Sequence, residues 1–90
     1  MQIIKINAIW CSGCLVMNPI MKKIEENHPE IEFISYDYDM DEEIIKEYNI
    51  GKIIPVLIFK KNGKEITRLI GEKKQSEIED TIERVKNEEV

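Results

Sequence analysis

Ninety residues, 42% of them hydrophobic and 34% charged, suffice for one core over 1–90 and exclude a separate cofactor or substrate domain. A net charge of -5, with paired lysines only at 22–23, 60–61 and 73–74, argues against a nucleic-acid surface. No apolar run approaches the thickness of a bilayer, and the start is interrupted by Lys5 and Asn7 with no basic lead-in, so neither a membrane span nor a secretory leader is expected and the address reads as cytoplasmic.

Residues 2–9 are rich in isoleucine and partly alternating, which predicts a first strand buried on at least one face. Val16, Met17, Ile20, Met21 and Ile24 then recur at helical spacing and predict a helix over about 12–27, closed by Asn27-His28-Pro29. Pro19 lies inside it, where it removes the bond to the Leu15 carbonyl and should kink the helix. Ile31–Tyr38 alternates as a second strand, with Ile34, Tyr36 and Tyr38 on one face and Phe33, Ser35 and Asp37 on the other. Asp41 is placed to cap a short helix running to about Tyr48 and ending near Gly51.

Two further strands, from Pro55 to Lys60 and from Glu65 to Ile70, flank Asn62-Gly63, the signature of a hairpin with a type I′ turn. Gly71 ends the second of them, and Ile78, Ile82 and Val85 mark a last amphipathic helix from Gln75 or Ser76. The order strand, helix, strand, helix, strand, strand, helix implies an α/β fold. A right-handed crossover makes the first two strands parallel and the hairpin adds an antiparallel pair, giving one mixed four-stranded sheet flanked by helices.

Chemistry concentrates in Trp10-Cys11-Ser12-Gly13-Cys14 at the junction of a strand and a helix. A cysteine there points its sulfur at the unpaired amides and positive dipole end of the helix, which favours the thiolate that attacks disulfides. Cys11 is the candidate nucleophile. Cys14, one turn further in, is the candidate that resolves the mixed disulfide. A merely structural bridge over so short a loop would constrain the unfolded chain little. A zinc site needs four ligands, and the chain offers two cysteines and the single, distant His28, so no metal is expected. The acidic stretch of Asp37, Asp39, Asp41, Glu42 and Glu43 lacks the glycine of a calcium loop and reads as a solvated loop and helix start. Tyr36, Tyr38 and Tyr48 carry no motif, His28 reads as a surface residue, and Met17 and Met21 read as core.

On these residues the chain resembles the thioredoxin family over nearly its whole length. Residues 10–14 look like the family's WCxxC, Pro19 like its helix proline, Ile54-Pro55 like its cis-proline loop, Phe59–Lys64 like its hairpin, and Gly71 like the glycine closing its last strand. The resemblance implies a cis Ile54-Pro55 bond beside Cys11, with the Ile54 backbone free for strand-like pairing with a substrate. From the residues alone Pro55 is equally a trans proline opening a strand. Trp10, Ser12, Gly13, Ile54 and Pro55 are thus the expected substrate-binding residues around Cys11 and Cys14.

The departures are informative. The family's extra N-terminal strand and helix have no counterpart, which makes the chain similar to the shorter, glutaredoxin-sized members. Lys5 stands where the family has the buried acid that helps deprotonate the resolving cysteine, and Asn7 replaces a tryptophan. A desolvated Lys5 amine beneath the site would favour the thiolate or accept its proton; alternatively its stem packs while its ammonium reaches solvent. Ser12-Gly13 has neither the proline of reducing relatives nor the histidine of oxidising ones, and without that histidine the pair should be reducing.

The expected activity is reduction of protein disulfides by a monomer. It needs no cofactor beyond the Cys11-Cys14 disulfide and is recharged by an external reductase or thiol donor. A glutathione-coupled, glutaredoxin-like reductase is the first alternative, weakened by Gly71-Glu72-Lys73-Lys74 in place of a Gly-Gly and later Asp. A non-catalytic binding module on the same fold is the second.

Overall fold

Isoleucine on both faces of a strand calls for apolar layers on both sides of it, and the computed structural model, which describes residues 1–89, supplies them. β1 (Gln2–Asn7) lies inside a four-stranded sheet of order β2-β1-β3-β4, where β2 is Glu32–Asp37, β3 Val56–Lys61 and β4 Lys64–Ile70. β1 runs parallel to β2, with Ile4 opposite Ile34, and antiparallel to β3, with Ile4 opposite Ile58. Three helices complete the chain: α1 (Ser12–Asn27), α2 (Glu42–Glu47) and α3 (Gln75–Lys86).

On one face of the sheet Ile3, Leu57 and Phe59 pack against Met17, Met21 and Ile24 of α1 and Ile78, Ile82 and Val85 of α3. On the other, Ile4, Ile6, Val56 and Ile58 are covered by Ile44, Ile45 and Tyr48 from and beside α2, together with Tyr36 and Tyr38. The predicted two faces of β2 divide accordingly, with Phe33 against the first cluster and Ile34, Tyr36 and Tyr38 against the second. Val16, expected on the buried side of α1, is half exposed instead.

The hairpin closes on Asn62 and Gly63 with φ of 54° and 78°, the left-handed pair that a type I′ turn requires. A bulge between Phe59 and Lys60, not foreseen in the sequence, shifts the register of β3 against β4. α1 continues through Pro19 to Asn27 as one helix.

α2 departs from expectation at its start. Asp41 is the residue before it but makes no cap with its side chain; its carboxylate turns back to accept the amide of Asp37 at 2.7 Å, at the end of edge strand β2. The helix ends at Glu47 with Tyr48 as its C-cap, close to the expected Tyr48, and the left-handed residue that follows is Asn49, two positions before Gly51. Asn49 takes φ 52°, and the amides of Ile50 and Asn49 donate to the carbonyls of Ile45 and Lys46, the paired bonds of a left-handed helix terminus.

His28, expected at the surface, is largely enclosed where α1 meets α3. Its ring bonds Glu79 and Glu30, and Lys86 donates to Glu30 at 2.6 Å. Burial pushes its pKa down, but the bonds to Glu79 and Glu30 outweigh this and raise it above the usual 6.5. The bond from Lys86 draws Glu30 down to about 2. A raised histidine contributes stability that is fully present below its unfolded pKa and is lost as pH rises through the folded value. A depressed carboxylate contributes stability above about 4.5, lost as pH falls toward 2. Urea midpoints should therefore decline from pH 6 to pH 9 in the native chain, and His28→Gln should flatten that decline.

Candidate active site

The turn at Ile9-Trp10 lifts the chain out of β1, and the Cys11 amide donates to the Ala8 carbonyl at 3.2 Å, which seats Cys11 as the residue capping α1. With φ -88° and ψ 111° its backbone is extended, so its side chain turns across the first helical turn. The sulfur accepts the Cys14 amide at 3.2 Å and faces the Ile54 carbonyl at 3.7 Å. This is the cap geometry normally made by a serine or aspartate oxygen, with sulfur in the oxygen's place. The helix amide and dipole both act on that sulfur.

Cys14 lies one turn further along, and both cysteines are free thiols, 6% and 4% exposed. Burial pushes the Cys14 thiol up to about 11, helped by its hydrogen bond and charge interaction with Cys11. The two cysteines therefore differ in setting: the Cys11 sulfur accepts a helix amide, and Cys14 is held protonated behind it.

Ala8, Cys11 and Cys14 pack with Tyr38 and Ile54. The Ile54-Pro55 bond is cis. A Cβ built on Gly13 would lie 3.3 Å from Pro55 Cδ, so the middle of the cysteine loop rests against the proline ring. Trp10 is 62% exposed, its indole N–H donating to Asp39 at 2.6 Å and its ring edge-on to Tyr38 at 6.0 Å between centroids. Tyr38 in turn donates to the Gly51 carbonyl at 3.0 Å, tying the loop before Ile54 to the end of β2. Exposed Ile9, Leu15, Met40, Ile53 and Ile70 add to the apolar surface of the chain.

The structure thus brings Trp10, Gly13, Ile54 and Pro55 around the two cysteines, with Ser12 exposed between them. Lys5 is different. Its side chain, 18% exposed, reaches Glu25 of α1 at 3.7 Å, so its ammonium is paired with a carboxylate rather than simply reaching solvent. Lys5 and Cys14 do line one small cavity of about 10 Å³, together with Asn7, Asn18 and Pro55. Asn7, Cys14 and Asn18 also line an open groove of about 290 Å³ bounded by Ile9, Leu15 and Asp37.

Tyr38, Asp39 and Glu72 belong to this neighbourhood and escaped the sequence reading. Tyr38 had one available signal, its place on the same face as Ile34 and Tyr36. Asp39 had none, because its contact with Trp10 spans 29 residues and exists only once the β2–α2 loop is folded. Among the described residues no cluster of three or more His, Cys, Asp or Glu side chains is arranged for a metal, and no helix is long and apolar enough to cross a membrane.

Comparison with known proteins gives a consistent answer. The sequence pattern of the family described as Thioredoxin matches residues 1–84. Thioredoxin H5 of Oryza sativa subsp. japonica is 35% identical over 69 residues, covering 77% of this chain and 50% of that protein. Thioredoxin-2 of Saccharomyces cerevisiae is 33% identical over 64 residues, covering 71% and 61%. The chain spans about half to three-fifths of the length of these relatives. Among solved structures, the thioredoxin of Fasciola hepatica superposes with a TM-score of 0.85 at 30% identity, over 92% of this chain and 78% of that one. Mitochondrial thioredoxin 3 of Saccharomyces cerevisiae, in its oxidized form, gives 0.84 at 28% identity, over 92% and 76%.

Proposed function

The chain belongs to the thioredoxin family, and from that premise we propose that it is a dithiol reductase of protein disulfides in which Cys11 attacks and Cys14 resolves. The observation that carries this reading is the asymmetry of the pair, one sulfur capping a helix beside a cis-proline and the other enclosed and raised to about 11.

The Cys11 thiolate attacks one sulfur of the substrate disulfide. That S–S bond breaks, and the departing sulfur leaves as a thiolate and takes a proton from water. Cys14 then gives its proton to water and attacks the Cys11 sulfur; the Cys11–substrate S–S bond breaks as the Cys11-Cys14 disulfide forms, and the second substrate sulfur leaves as a thiolate that is protonated by water. Two electrons pass from the dithiol to the substrate, and an external reductase or thiol donor returns them. The exchange needs no other cofactor. Ile54 offers its backbone to an extended substrate segment, while Trp10, Ser12, Gly13 and Pro55 form the surface it meets. A monomer in a cytosolic setting completes the reading.

Lys5 enters as an electrostatic contributor. It lines the cavity that Cys14 lines, and its pairing with Glu25 is long enough to be exchanged for a nearby thiolate.

The test is equilibration across graded dithiol and disulfide buffers, followed by alkylation and mass counting of free thiols. A reversible two-electron transition at a reducing potential is expected. Thiols that pair only under harsh oxidant would overturn the reductase reading and favour a binding module.

A further inference from the structure

Gly71, with φ 90°, turns the chain sharply after β4, and its amide donates to the Pro55 carbonyl at 2.8 Å. The turn delivers Glu72 to the cysteine loop. A Cβ built on Gly13 would meet Glu72 Oε1 at 3.5 Å and Glu72 Cβ at 3.8 Å. The carboxylate therefore lies in van der Waals reach of the space a side chain at position 13 would take, against the middle of the cysteine loop. Lys73 follows, but its amide bonds the Met17 sulfur at 3.4 Å on the α1 side of the loop.

Glu72 is exposed and forms no hydrogen bond or ion pair among the described residues, whereas Glu25, Glu30, Glu65 and Glu79 are all paired. Asp39, the carboxylate at Trp10, is engaged by the indole N–H. Glu72 thus places an uncommitted negative charge against Gly13, between the two cysteines in sequence and beside the cis-proline ring that the same glycine touches.

We propose that Glu72 is a specificity-determining residue, which favours disulfides with cationic groups next to the sulfur and disfavours anionic ones, glutathione disulfide included. The inference rests on Cys11 being the attacking thiolate. A substrate charge within several ångströms of an exposed carboxylate changes the encounter by about threefold at low salt, and screening removes most of that at high salt.

The experiment uses the full chain carrying Cys14→Ser, so that Cys11 reacts in one step. Its thiolate attacks a small disulfide, the S–S bond breaks, a mixed disulfide stays on the protein, and the other half leaves as a thiolate that is protonated by water. Rates are measured for cystamine (cationic), hydroxyethyl disulfide (neutral) and dithiodiglycolate (anionic), each normalised to a small neutral thiol. The cationic-to-anionic ratio should exceed one, fall about ninefold in Glu72→Gln as the cationic rate drops and the anionic rate rises by about threefold each, invert in Glu72→Lys, and shrink in high salt. A ratio unchanged by Glu72→Gln overturns the proposal. Failure of the reductase reading is seen separately, as a Cys11 that reacts with the neutral disulfide no faster than free cysteine in every variant.

Discussion

Cys11→Ser should abolish disulfide reduction, on the order of a thousandfold or more, while Cys14→Ser should still attack once and then accumulate as a mixed disulfide with its substrate. The asymmetry follows from the positions of the two sulfurs. Cys11 caps α1 and accepts an amide, so removing it leaves no nucleophile; Cys14 is enclosed one turn inside, so removing it leaves the first step intact. Non-reducing gels and intact mass after mixing with a protein disulfide distinguish the two outcomes.

The same pair predicts a pH dependence. With Cys14 at about 11, roughly one molecule in ten thousand carries it as thiolate at pH 7. The causes of that elevation are not fixed through the cycle. Burial is the largest and persists, but the hydrogen bond and charge interaction with Cys11 vanish once Cys11 is bonded to substrate. Formation of the mixed disulfide therefore eases ionisation of Cys14 at the step that needs it. Resolution, measured as decay of a preformed mixed disulfide, should accelerate as pH rises toward the Cys14 value in that intermediate. Lys5→Met should move this profile to higher pH, because it removes a cation from the cavity wall. An unmoved profile would show that Lys5 serves only its pairing with Glu25.

Phe59→Ala should be the most damaging change away from the cysteines, at about 3–5 kcal/mol, lowering the midpoint of thermal unfolding by roughly 15–30 °C. Phe59 is fully buried in β3, opposite Ile3 of β1 and Thr67 of β4, and packs under α1 and α3. Its loss opens a cavity shared by several elements, which cannot all collapse into it. Phe33, on edge strand β2 and only partly buried, should cost markedly less when truncated. Chemical unfolding of both variants provides the comparison, and equal losses would contradict the placement of the core.

Much of this architecture was legible before folding because its signals are local. Isoleucine alternation marked the first strand, helical spacing of Met17, Met21 and Ile24 marked α1, and Asn62-Gly63 specified a turn whose backbone angles only such residues adopt easily. The cysteine site was legible for the same reason, since two thiols three residues apart at a strand-to-helix junction need only one helical turn to become a pair. The start of α2 was less legible, because Asp41 turns to the amide of Asp37 instead of capping its helix with its side chain, and the left-handed residue after the helix is Asn49, ahead of Gly51.

What the chain order alone determined, then, is the strand-helix pattern and a helix-capping cysteine with a partner one turn inside. The tertiary structure decided the surroundings of that pair: Tyr38 and Asp39 bracing Trp10, the cis proline ring against Gly13, Glu72 over the cysteine loop, and Lys5 drawn to Glu25. Each of these joins residues from separate elements, and several of the contacts are polar. Periodicity records which side of an element is buried, but it does not record which distant loop will supply a charge or a ring at its end.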